Sequence, residues 1–201
     1  MPSGVRDEVR FVVLSCTRTT FQVIDERTAG LERTRYGRRM SYPEPRFLGG
    51  TGEISATARP AVAAPELILP TTNVHYLATG ATTGGDFGLY RWEMAGPPSG
   101  PAAHFHRSIT ESFYVLSGTV GLYDGSDWTD AGPGDYFFVP PGGIHAFRNE
   151  PGKPASMLIL FTPGAPREAF FEELAEIAAS GREPSEEEMT AFYWRHDQFM
   201  V

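Results

Sequence analysis

An all-β barrel or sandwich with short C-terminal helices is the fold class this sequence predicts, on three observations. From residue 74 onward, short runs rich in β-branched and aromatic residues recur at the spacing of paired strands. Between them stand Gly, Pro and Asp clusters of the kind that turn a chain sharply. A helical period appears only after Pro166.

Strands are predicted over residues 74–78, 87–94, 103–106, 111–116, 119–123, 127–129, 136–139, 144–149 and 155–161. Asp124-Gly125 suits a tight hairpin, Gly132-Pro133-Gly134 a loop, and the stretch from Pro140 to Gly143 another. Pro166 opens a helix in which Phe170, Leu174 and Ile177 share one face, and Gly181 stops it. Ser185 heads a second helix, with Glu188 three places on completing a capping box. Both helices are expected on the outside of the barrel, or against a second subunit, rather than across its mouth.

A chain of 201 residues suffices for one domain of ordinary size with a core to bury. Its net charge of −8 argues against nucleic acid or an anionic membrane as partner. That charge is unevenly spread. Residues 1–39 hold eight arginines against five acidic residues, net +3, whereas residues 40–201 hold nine basic against twenty acidic, net −11. The expected organisation is therefore an N-terminal extension at 1–39, poorly ordered or upstream of a native start at Met40, an arm at 40–73, a barrel at 74–163 and helices at 164–201. Mass spectrometry of the native protein tests this, since abundant peptides from residues 1–39 exclude a start at Met40.

Val13-Leu14-Ser15-Cys16 is not a lipoprotein signal, because the apolar run is far short of the roughly 7–15 residues an h-region needs. No stretch reaches the length of a membrane span. With a single cysteine no disulfide can form within the chain, which suits a reducing compartment, and the cytoplasm is the expected location.

Chemistry concentrates in two segments, HFHRSITE and PPGGIHAFRN. In a strand, alternate side chains share a face, so His104 and His106 stand about 6.5–7 Å apart along the chain and point the same way. Both imidazoles can then reach one ion at about 2.1 Å. Glu111 lies an odd number of residues beyond His106, so the intervening Arg107-Ser108-Ile109-Thr110 must turn or bulge to return it to that face. His145 follows a Pro/Gly turn and can come back antiparallel beside the pair. A lone histidine in a strand is more often a packing residue than a ligand, and His75 and His196, outside these segments, take that reading. Four convergent ligand types, His104, His106, Glu111 and His145, take the other: one divalent metal ion. On the same face, Phe113 and Val115 accompany Glu111, and Phe147 and Asn149 accompany His145. Asn149 and Tyr114 are the candidates for orienting the imidazoles.

The spacing His104-x-His106, four residues, Glu111, six residues, Gly118, followed by Gly134, five residues, Pro140-x-Gly142, two residues, His145, three residues, Asn149, resembles both motifs of the cupin superfamily. The resemblance runs from about Asp86 to Pro163 and includes one copy of each motif. It departs at Pro98, where family members often carry glycine; Gly96 and Gly100 flank the position. What it implies is a single-domain, quercetinase-like cupin with a jelly-roll β-barrel and one Fe, Mn, Ni, Co or Zn ion held by the four ligands. It further implies a small-molecule substrate and a homodimer.

Three function classes stay open. A dioxygenase acting on an aromatic or enediol substrate, with Glu111 as catalytic proton acceptor as well as ligand, leads by analogy with the family. A redox-neutral isomerase, cyclase or lyase would use the ion as a Lewis acid. A non-catalytic cupin would bind its ligand and stop there. Arg91, Arg107 and Arg148 are the only cations near the motifs, which disfavours phosphorylated sugars.

Overall fold

The computed structural model describes residues 42–201, divided into two units between Ser55 and Ala56. Residues 42–55 carry no helix or strand. The expected extension at 1–39 and the expected start at Met40 lie outside the described residues.

The second unit follows the order β1 (Leu67–Ile68), β2 (Thr72–Ala78), β3 (Gly88–Met94), β4 (His104–Phe105), β5 (Thr110–Ser117), β6 (Val120–Tyr123), β7 (Trp128–Ala131), β8 (Tyr136–Val139), β9 (Ala146–Asn149), β10 (Ala155–Thr162), α1 (Arg167–Ala179), α2 (Glu186–Arg195) and β11 (Phe199–Met200). The strands make an antiparallel jelly roll. A six-stranded sheet runs β1-β2-β3-β10-β5-β8, a three-stranded sheet runs β7-β6-β9, and β4 pairs with β11. Each of the nine strands expected from the sequence is present, with ends moved by a residue or two. β1 and β11 are additions. Each is two residues long, too short to show a period, and exists because a neighbour strand offers its edge.

Strand alternation builds the core. Along β10 the residues Ala155, Met157, Ile159 and Phe161 are buried while their neighbours are partly exposed, the pattern of a strand with one face inward. On β5, Glu111, Phe113 and Val115 face the same interior. Phe113 meets Phe147 of β9 at 5.6 Å, the rings tilted by 59° across the two sheets. Burying one such ring is worth about 1.5–3 kcal/mol, so these few contacts hold the sheets together.

The turns obey their residues. Asp124 Oδ1 accepts from the backbone N–H of Ser126 and Asp127, closing the β6–β7 hairpin. Gly118 joins β5 to β6 at φ 71°, and a Cβ there would stand 2.4 Å from the Pro154 carbonyl oxygen. Only glycine fits. At α2, Ser185 Oγ accepts from Glu188 N–H and the Glu188 carboxylate accepts from Ser185 N–H, the capping box the sequence predicts.

The helices do not sit where the sequence suggests. Phe170 and Phe171 of α1 and Phe192 of α2 are buried in the barrel core. Phe171 packs edge to face on Tyr90 at 5.3 Å and Trp92 at 5.2 Å, while Phe170 stacks on Phe192 at 5.3 Å. Outside packing is thus replaced by closure over the interior. β3 turns Tyr90 and Trp92 toward Phe161 and Phe147, at 5.8 and 6.0 Å, and Phe171 of α1 covers the two rings from the remaining side.

Candidate metal centre

β4 is two residues long, and its first residue is paired on both sides. His104 pairs with Met200 of β11, and its backbone exchanges hydrogen bonds with His145 at 3.0 and 2.8 Å. Glu111 comes back to the histidine face through a bend at Arg107 and Ser108, as the odd spacing requires. The bend is pinned from a distance: the Asp197 carboxylate accepts from Arg107 N–H at 3.1 Å, Ser108 N–H at 2.8 Å and Ser108 Oγ–H at 2.6 Å. Gly142, at φ 83°, then donates its N–H to the His106 carbonyl at 2.6 Å, tying the second motif to the first.

His104, His106, Glu111 and His145 converge. One ligand atom from each lies within 4.8 Å of the others, and all four residues are buried. Glu111 Oε2 stands 2.8 Å from His145 Nε2 and 3.2 Å from His106 Nε2. Every imidazole directs Nδ1 at a backbone carbonyl: His104 to Ala102 at 2.8 Å, His106 to Asp197 at 2.6 Å and His145 to Gly143 at 3.0 Å. Because Nδ1–H donates to carbonyl, Nε2 is the nitrogen left for a cation. Three nitrogens and one carboxylate oxygen form a donor set suited to Fe, Mn, Ni, Co or Zn, and the described geometry fits one such ion.

Asn149 and Tyr114 do not orient the imidazoles. Tyr114 is exposed on the outer face of β5. Asn149 instead accepts from Ser99 N–H at 2.8 Å and donates to the carbonyls of Ala95, Pro97 and Lys153. It therefore holds the loop that contains the departing Pro98. His75 is buried against Arg91 and Glu93, and His196 pairs with Glu173, so both act in packing.

Burial works against charge at this site, and the pairing decides where charge survives. Burial, followed by the His145 charge, lowers the His104 imidazole to about 3, so it is neutral and ready to bind metal. Burial alone would raise Glu111, yet hydrogen bonds from His106 and His145 hold its carboxyl well below the usual range. Burial would lower His145, but the Glu111 carboxylate overcomes it and raises its pKa.

His104 and Glu111 also line a cavity of about 470 Å³, walled by Trp92, Phe147, Phe161, Phe170, Phe171 and Tyr193. Arg167 of α1 and Gln198 line it too. None of Arg91, Arg107 and Arg148 does. Their guanidinium groups lie instead against His75, Phe199 and Trp128. Arg167 is remote in sequence from both motifs, so their spacing does not point to it. A signal existed: Arg167, Phe170, Phe171 and Leu174 follow the i, i+3, i+4, i+7 period, which places a cation on the apolar stripe of a helix. Asp197 carries no such period, and its φ of 54°, a conformation that aspartate tolerates better than most residues, belongs to the fold.

A family model for the cupin domain matches residues 91–161. Among solved structures, the chain is similar to KdgF from a Halomonas species (18% identity, 51% of this chain and 90% of that one, TM-score 0.44). It is also similar to a predicted oxalate decarboxylase from Thermotoga maritima (19%, 53% and 97%, 0.47) and to the polyketide cyclase RemF from Streptomyces resistomycificus (26%, 54% and 79%, 0.44). No curated protein matches the sequence. With one copy of each motif inside the matched segment and a jelly roll around it, the chain carries a cupin domain that includes residues 91–161.

Proposed function

We propose that this cupin is a metal-dependent dioxygenase of small aromatic or enediol substrates. The observation that carries the reading is that two members of the ligand quartet, His104 and Glu111, face an aromatic-walled cavity of about 470 Å³, within the size range of small-molecule sites. A divalent ion held by the four residues would supply Lewis acidity and a site for oxygen chemistry. The chain's own residues bind and orient. Trp92, Phe147, Phe161 and Phe170 offer faces and edges to a flat ring. Glu111 serves as ligand through Oε2 and as proton acceptor through Oε1, which accepts no hydrogen bond among the described residues. Burial of the quartet keeps bulk water from the reacting end.

A homodimer in the cytoplasm completes the reading. Tyr114, Tyr136 and Phe138 are exposed together on β5 and the edge strand β8, which supports self-association through that edge. No helix among the described residues is long and apolar enough to cross a membrane.

Aerobic and anaerobic incubation with flavonols and related enediols, after loading with each of Fe, Mn, Ni, Co and Zn, tests the function. Oxygen uptake coupled to substrate loss is expected with at least one metal; no uptake with any of them ends the proposal. A redox-neutral cyclase or isomerase is the second reading, favoured by the Arg167 cation on the cavity wall, which suits a developing oxyanion. Product formed without oxygen selects it.

A further inference from the structure

Arg167 is 4% exposed, yet no carboxylate of the described residues forms an ion pair with it. Its guanidinium donates from Nη1 to the His196 carbonyl at 2.9 Å and from Nη2 to Gln198 Oε1 at 3.3 Å, both neutral acceptors. Nε is buried and has no partner among the described residues. Phe170 and Phe161 lie under the cation at 4.2 and 5.1 Å, which offsets part of the burial. Glu111, Asp197 and Glu168 favour the charge from a distance, but a buried guanidinium with no direct ion pair is still costly and seldom kept without a use.

A second donor is unspent. Trp92 Nε1 is also buried without a partner, and Trp92 lines the same cavity. Phe171 is neighbour to both, with Trp92 at 5.2 Å and Arg167 at 5.6 Å. Two orphan N–H groups beside one ring, in a wall otherwise aromatic, describe half of a hydrogen-bonded contact. The missing half is an acceptor that enters with the ligand.

We propose that the cavity binds small aromatic carboxylates, with the carboxylate held by Arg167 and Trp92 and the ring packed among Phe147, Phe161 and Phe170. Guanidinium matches a carboxylate in shape and charge, and a neutral ligand would leave the cation without a direct ion pair. Charge balance agrees. Three neutral imidazoles and one carboxylate leave a divalent ion at about +1, and Arg167 adds a second positive charge to the same cavity. This substrate class rests on the proposed function for the end of the molecule that reacts, while the anion subsite stands on Arg167 and Trp92 alone.

The test uses benzoate and its neutral isostere benzamide, titrated calorimetrically into the full chain, once metal-free and once loaded with manganese. Benzoate is expected to bind at least about tenfold more tightly than benzamide in both states. Arg167→Gln should erase that preference and Arg167→Lys should restore part of it. Equal binding of the two probes, binding of neither, or a preference that survives Arg167→Gln overturns the proposal. Should Arg167→Gln fail to fold, the preference of the unaltered metal-free protein decides, since no ion is then present to attract the carboxylate. If elemental analysis finds no metal bound while the benzoate preference persists, the dioxygenase reading falls and the anion subsite stands.

Discussion

The carbonyl oxygen of Asp197 accepts a 2.6 Å hydrogen bond from Nδ1 of His106, a residue 91 positions earlier in the chain. The same aspartate, through its side chain, holds the bend that turns Glu111 toward the histidines. One residue after the last helix thus orients one ligand by its backbone and another by its carboxylate. Loss of such an outer contact typically costs 10–100-fold in metal affinity. Asp197→Ala is therefore expected to weaken metal binding by about that factor, and Asp197→Asn by less, because asparagine tolerates the positive φ and keeps one acceptor oxygen. Competition titration against a chelator measures both. An unchanged affinity in Asp197→Ala would show that the bend stands without it.

Removal of a ligand should act on stability as well as on binding. A metal present at a hundredfold excess over its Kd stabilises the native state by about 2.7 kcal/mol, which corresponds to a Tm increase of roughly 5–10 °C for a domain of this size. His106→Ala and His145→Ala should lose that increment. Thermal melts with and without metal give the comparison, and an equal shift in the variants would exclude the quartet as the site.

The metal-free protein should be most stable near pH 6.5. His104 is lowered to about 3 by burial first and the His145 charge second, so the unfolded chain binds its proton more readily and stability declines as pH falls below the ordinary 6.5. His145 behaves oppositely: burial lowers it, but Glu111 raises it further. Its contribution is complete below 6.5 and is lost as pH rises through the folded value. Metal binding replaces the proton on the Glu111–His145 pair, so the alkaline decline should vanish in the loaded protein. Melting temperatures from pH 5 to 9, with chelator and with metal, test this; a monotonic metal-free profile contradicts it.

Association should depend on the outer face of β5 and β8. Tyr114 stands opposite Tyr136 across the two strands, and Phe138 is 53% exposed beside them. Phe138→Asp puts a charge on that face without touching the cavity. Light scattering is expected to show a dimer for the unaltered chain and a monomer for the variant. A monomer in both cases removes the homodimer from the functional reading.

Much of the barrel was legible because its causes are local. Alternation along β10 and the Gly and Pro turns depend on residues a few places apart, and so does the capping box at Ser185. The ligand quartet was legible for a related reason, since His104 and His106 share a face by strand geometry and the two motifs carry their own turns. What stayed hidden involves partners far apart. Nothing local marks β11 as a strand until β4 lies beside it. Arg167 reads as one charged residue at a helix start until three phenylalanine rings enclose it.

Residue order alone determined that strands form, where they turn, and which four side chains can share an ion, because period, turn chemistry and ligand type are written within short spans. Tertiary structure decided that the C-terminal helices close the interior, that backbone carbonyls rather than Asn149 or Tyr114 aim the imidazoles, and that a buried arginine shares one cavity with His104 and Glu111. Those outcomes depend on which surfaces remain uncovered once the sheets have folded, and burial of that kind has no local period from which to read it.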